Sequence, residues 1–351
     1  MFGKRDLENL GIEVTRKIED KNIVKIVNQV TDKLIEAFPK HKLNYLDIYK
    51  SLLDTPMYYA KIPSGLSKAN YYYKNSSIYF SEDTDLLEID EYVFHECIHK
   101  LQEHKDKKGN LTRIGVCEVN ELSVKATALN EGAIQYITTK AFDLPKKMVT
   151  IYDITMPSKT EYYPILTNII SQITYLLGEE ALIDSTINGN EDFKIEIIDN
   201  IGETEYNYIE KKLNDILKAK DTIYEFQKNE DFSQEASNKI WESIEFIKST
   251  YFEIQNTIYS SYFDRMLKRC ENEIEISMTR KKLYSYRNLV GTSSNYNDFD
   301  IYCIDFEKRA QAKALEIKNK KSLMVISNNI IFRIFRKIRK LFTHSQNEYY
   351  K

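Results

Sequence analysis

The chain has 351 residues, 42% hydrophobic and 29% charged, a balance that excludes a disordered chain and allows a sizeable core in one large or two modest domains. Its net charge of −3 gives no global attraction to nucleic acid or membranes, and no apolar run is long enough to span a bilayer. The four cysteines (Cys97, Cys117, Cys270 and Cys303) make neither a C-x-x-C pair nor a disulfide framework, and no apolar leader follows Met1, so the expected compartment is a reducing cytoplasm.

In chain order, Asn22 to Phe38 carries apolar residues at helical spacing (Ile23, Ile26, Val27, Val30, Leu34) and predicts a helix. Tyr58 to Ile62 and Ser76 to Phe80, rich in aromatic and β-branched residues, predict short strands. A helix is expected from Leu86 to about Glu103, then a polar turn over Lys105 to Asn110, and a strand or half-hairpin over Leu111 to Val116. Glu121 to Phe142, Tyr162 to Leu177, Glu203 to Lys218 and the long stretch Ser233 to Asn288 all predict helix. Gly291 to Asp300, dense in Ser, Asn and Asp, reads as a loop. All six prolines lie at or before Pro164, so the second half is free to be helical. The expected fold class is α+β, mostly α-helical, with a mixed part over 1–150, a helical lobe over 151–320 and a separate basic segment over 321–351.

The chemistry sits in Phe94-His95-Glu96-Cys97-Ile98-His99. At about 100° per residue, positions 95, 96 and 99 share one narrow arc of a helix while Cys97 points away. Two imidazoles one turn apart can hold one Zn²⁺, and the carboxylate between them can take a proton from a water activated there. The bland alternative is a polar stripe on an amphipathic helix. Val93, Phe94, Ile98 and Leu101 instead make this helix apolar elsewhere, and a buried His-Glu-His group needs something to satisfy it. A catalytic zinc usually takes a third protein ligand. His104 lies five residues beyond His99, one short of the metzincin spacing, which excludes that pattern; Glu118, Glu121 and Glu131 remain as candidates.

The stretch Ala128-Leu129-Asn130-Glu131-Gly132-Ala133 resembles the third-ligand helix of gluzincin metallopeptidases, in particular the Leu-Asn-Glu-Gly segment of zinc aminopeptidases. The resemblance covers roughly Ser76 to Phe142. It implies a zincin-like catalytic core with a small sheet, zinc held by His95, His99 and Glu131, Asn130 steadying the backbone, and Gly132 permitting close helix packing. It further implies peptide-bond hydrolysis with Glu96 as general base, a Tyr from the later lobe on the oxyanion (Tyr163 or its neighbour Tyr162), and a peptide or protein as substrate. In that layout the strand at Ser76 to Phe80 would form the cleft edge; a plain structural strand is the equal alternative. The gap from His99 to Glu131 is longer than in those aminopeptidases, and their motif for a substrate amino terminus is missing, so exopeptidase action is not implied.

Gln102 projects near the metal face and is a candidate to orient an imidazole. Beyond residue 320, Leu323, Ile330, Ile334, Phe335, Ile338 and Leu341 fall on one side of a helical wheel and Arg333, Arg336, Lys337 and Arg339 largely on the other. Such a basic amphipathic helix either packs on the fold or rests on a membrane surface or partner. The reading opposed to an enzyme is a catalytically silent zinc protein serving as a scaffold for a partner or membrane surface; the intact Glu96 favours the enzyme.

Overall fold

The computed structural model describes residues 11–41, 43–63, 67–119, 124–229 and 233–320. The fold is α+β and mostly α-helical, as the proline distribution leads one to expect. By contacts, the described residues of Met1–Tyr262 and Asn288–Asn297 make one compact unit, and those of Phe263–Arg287 and Asp298–Lys351 a second. The boundary expected at 150 lies inside the first unit, within a strand.

The first unit begins with β1 (Glu13–Lys17), helices α1 (Asp20–Ala37) and α2 (Tyr45–Leu53), then β2 (Met57–Lys61), β3 (Ala69–Tyr72) and β4 (Ser77–Ser81). The four strands form a sheet in the order β1-β2-β4-β3, with β2 and β4 parallel and the outer pairings antiparallel. β4 is the apolar strand with neighbours on both sides, and Ser77 to Phe80 are all buried. It therefore cannot be the cleft edge. The edge strand beside it is β3, a segment not among the strands expected from the sequence.

Helix α3 (Glu91–Leu101) starts five residues later than expected, because Asp90 caps it: its carboxylate accepts the Tyr92 and Val93 amides at 3.0 Å. It packs on β3 and β4, burying Val93, Phe94, Cys97 and Ile98 in the main core beside Ile78 and Phe80. Next comes an antiparallel meander of β5 (Glu103–Lys105), β6 (Leu111–Ile114), β7 (Cys117–Val119) and β8 (Val124–Lys125). The last strand occupies sequence expected to be helical, so α4 (Thr127–Ala141) starts late as well.

A hairpin, β9 (Lys147–Ile151) and β10 (Ile154–Ser158), leads into α5 (Pro164–Leu177). Helices α6 (Glu180–Asn188), α7 (Asp192–Asn200), α8 (Glu203–Lys228) and α9 (Gln234–Arg269) follow. The single long helix expected over 233–288 is broken: α9 ends at Arg269 and α10 (Glu273–Tyr286) restarts with Asn272, whose side chain accepts the Glu275 amide. The second unit also contains a helix over 298–320, so the expected loop ends at Asn297, three residues before Asp300. Within it, Phe263 meets Phe306 edge-on and the Arg309 guanidinium bonds Asp264 at 2.7 Å. The basic segment from Leu323 onward lies outside the described residues.

Two glycines permit the close approaches around α4. A Cβ on Gly132 would come within 2.9 Å of the Ile170 side chain and 3.1 Å of the Leu166 carbonyl oxygen of α5. Backbone cannot yield there as a flexible side chain could, so Gly132→Val should cost about 1–3 kcal/mol of stability, read as a lower denaturant midpoint. At Gly115 (φ +55°) a Cβ would strike the amides of Gln102 and Asn130.

Candidate metal centre

Helices α3 and α4 run side by side in the first unit, and their facing polar residues pair one by one. The Glu131 carboxylate lies 3.3 Å from His95 Nε2 through Oε2 and 3.5 Å from His99 Nε2 through Oε1. One donor atom from each of the three residues lies within 4.8 Å of the other two, the only such group among the described residues. Zinc bonds of about 2.0–2.1 Å in a tetrahedral arrangement put adjacent donors about 3.3 Å apart. The separations from the two imidazoles, each to a different oxygen of Glu131, are close to that spacing, and two imidazoles with one carboxylate are a donor set suited to zinc.

The site is enclosed: His95 is 1% exposed, and His99 and Glu131 are largely buried. Burial alone would raise the Glu131 carboxyl, but the His99 charge and hydrogen bonds to both imidazoles outweigh it and hold the carboxyl well below its usual range. Burial would likewise lower His99, yet the Glu131 charge wins and pushes the imidazole up to about 9.

Glu96 is 6% exposed, on the same arc of α3. Burial raises its carboxyl, against the pull of His99 and His95. Its Oε2 accepts the backbone amide of Tyr71 at 2.6 Å. Because Tyr71 belongs to the edge strand β3, this amide points away from β4 and is free for the carboxylate. The Tyr71 ring stacks parallel to His99 with centroids 6.3 Å apart.

The group that orients His95 is Gln135, one turn beyond Glu131. His95 Nδ1 lies 2.9 Å from Gln135 Oε1, so with Nδ1–H donating, Nε2 is the ring atom available to a metal. The Gln135 amide is held in turn, donating to Thr160 Oγ1 at 2.8 Å and Glu91 Oε2 at 3.2 Å. Gln135→Leu should therefore weaken zinc binding about 10- to 100-fold without unfolding the chain, measured by competition with a chromophoric chelator.

Gln102, expected near the metal face, is chiefly a partner of Asn130. The two amides bond each other reciprocally at 3.0 Å, and Asn130 Oδ1 also takes the Val116 amide at 3.3 Å. Asn130 thereby ties the end of α3 and the meander to α4. Gln102 also adds to the groups favouring the protonated His99.

The other candidates separate cleanly. Glu118 lies on β7 and pairs with Lys194 at 2.6 Å. Glu121 lies outside the described residues. His104 lies on β5, its imidazole against Gly189.

Tyr162 and Tyr163 both come to the cluster, with ring centroids 5.4 and 6.4 Å from that of His95. Their ring centroids are 4.3 Å apart. Burial first, and the nearby Glu96 and Glu131 charges after it, push both phenols upward, so both stay protonated and able to donate. Tyr163 sits in the left-handed region (φ +51°) as the N-cap of α5, with Pro164 at the first helical position.

Helix α8 brings a residue that the sequence does not single out. The first turn of α4 has no cap of its own; Glu210 accepts the Ala126 amide at 2.8 Å and Asn214 the Ala128 amide at 2.9 Å. With α8 fixed there, Lys220 lies roughly 15 Å further along it than Glu210, its ammonium 4.2 Å from the Tyr163 ring centre and 5.9 Å from that of Tyr162.

Comparison with protein-family models, with curated proteins and with solved structures finds no match in any of the three. No helix among the described residues is long and apolar enough to cross a membrane.

Proposed function

We propose that the chain is a zinc-dependent peptidase, with His95, His99 and Glu131 as metal ligands and Glu96 as general base. The observation that carries this reading is the convergence of three potential ligand atoms within 4.8 Å of one another beside a buried carboxylate anchored by the Tyr71 amide. A purely structural zinc site is closed by a fourth protein ligand, whereas these three leave a position for water.

Zinc, when bound, supplies Lewis acidity to a water and to the scissile carbonyl. Glu96, held by the Tyr71 amide and raised by burial, takes the proton of the attacking water and passes it to the leaving amine. Gln135 keeps the His95 tautomer fixed throughout. Tyr163, paired with Tyr162, donates to the oxyanion. Tyr163→Phe should lower kcat on the order of 10²-fold with little change in KM, and a tenfold larger loss in Tyr162→Phe would move the role to its neighbour. The compartment we assign is the cytoplasm, since the four free, buried cysteines suit a reducing one.

The test is hydrolysis of an unfolded protein such as casein by metal-replete chain. We expect cleavage that a chelator stops and added zinc restores. Stoichiometric zinc with no cleavage of casein or of a mixed peptide library would instead favour the scaffold reading.

A further inference from the structure

Behind Tyr163, within the first unit, lies a cavity of about 220 Å³. Its walls are apolar, with Leu166 of α5, Ile216 of α8 and Ile247 of α9 among them, and Tyr163, Lys220 and Glu161 also line it. Tyr163 thus borders the metal cluster through His95 and this chamber through Lys220.

Lys220 is the odd member of the lining. It is half-buried, and its ammonium lies over the two tyrosine faces. Among the described residues no carboxylate comes within ion-pairing distance of it: Glu161 shares the chamber without pairing, and Asp221 and Glu131 act on it through their charge alone. Burial depresses its ammonium, as expected for a cation left without an anion. An ammonium in an apolar chamber beside a metal cluster is a ready counter-charge for an anionic group on whatever occupies the chamber.

We propose that Lys220 binds a carboxylate of the substrate while the chamber behind Tyr163 takes an adjacent large apolar side chain. This rests on the peptidase reading and narrows it to peptides that place an acid next to an apolar residue near the cleaved bond. The acid is either the C-terminal carboxylate or an acidic side chain; both present the same group to Lys220. The cation–π contact with Tyr163 holds the ammonium in place before the substrate arrives.

Binding of three probes separates the possibilities: acetyl-Ala-Phe with a free carboxylate, acetyl-Ala-Phe-amide and acetyl-Glu-Phe-amide. Calorimetry on full-length, zinc-loaded Glu96→Gln protein avoids turnover, with the zinc content of each sample measured alongside. One of the two acids should bind at least tenfold more tightly than the neutral amide, and which one does so identifies the source of the carboxylate. Adding Lys220→Met should abolish that preference, while Lys220→Arg should keep it within about threefold. Equal binding of all three probes, no binding of any, or a preference that survives Lys220→Met would overturn the inference. Zinc at one per chain with any of those results would leave the metal site standing. A Lys220-dependent preference in a chain without zinc would uphold the carboxylate site and remove the peptidase reading.

Discussion

Glu96→Gln should reduce hydrolysis on the order of 10²- to 10⁴-fold while the zinc content stays at that of the wild type. The substitution keeps the size of the side chain and an oxygen able to accept the Tyr71 amide, so the local packing against β3 survives. What it removes is proton affinity. A buried carboxyl raised by desolvation and restrained by two imidazoles is suited to hold a proton for part of a cycle, and an amide is not. Glu96 is outside the three-residue ligand group, so metal retention separates loss of the base from loss of the site. An undiminished rate in Glu96→Gln, measured with the same substrate and matched zinc, would remove Glu96 from the chemistry.

Glu131→Ala should weaken zinc binding by more than the 10- to 100-fold that losing a supporting hydrogen bond costs, because a direct ligand is lost. It should also change the metal-free protein in a pH-dependent way. In apo wild type the His99 imidazole is raised from 6.5 to about 9 by Glu131. Its contribution to stability is complete below about pH 6.5 and disappears as pH rises through about 9. The Glu131 carboxyl is depressed below its ordinary 4.5, so the same pair also weakens as pH falls below that value. The melting temperature of chelator-treated wild type should therefore fall between pH 6.5 and 9, and Glu131→Ala should show no such fall. Superimposable melting curves for the two proteins across that range would show that the pair does not form.

The parts of the site that were legible in the sequence are those with a local period. His95, Glu96 and His99 share one arc of α3 because helical geometry requires it once the helix is granted. The structure brings Glu131 to them, which spacing alone could not choose over Glu118 and which rested on a likeness of local sequence. Gln135 carried a fainter signal: four residues after Glu131, it is a polar side chain on the same face of the helix. Tyr71 and Lys220 carried none. The role of Tyr71 is a backbone amide freed by its edge position, a property of sheet order rather than of residue type. Lys220 is one lysine among many on a long amphipathic helix, and only the docking of α8 on the first turn of α4 gives it neighbours that matter.

Element boundaries failed where a cap or a pairing overrode the apolar pattern. Asp90 and Asn272 start helices inside stretches that read as continuous. β8 captures Val124–Lys125 by pairing with β7, a non-local gain that no window of sequence records.

The most direct test of the metal centre is the zinc content of metal-replete wild-type chain after exhaustive dialysis, determined by elemental analysis. One zinc per chain is expected, held by His95, His99 and Glu131 and released on chelation. A chain free of zinc under those conditions would contradict the metal centre, and with it the assignment of Glu96 as a base.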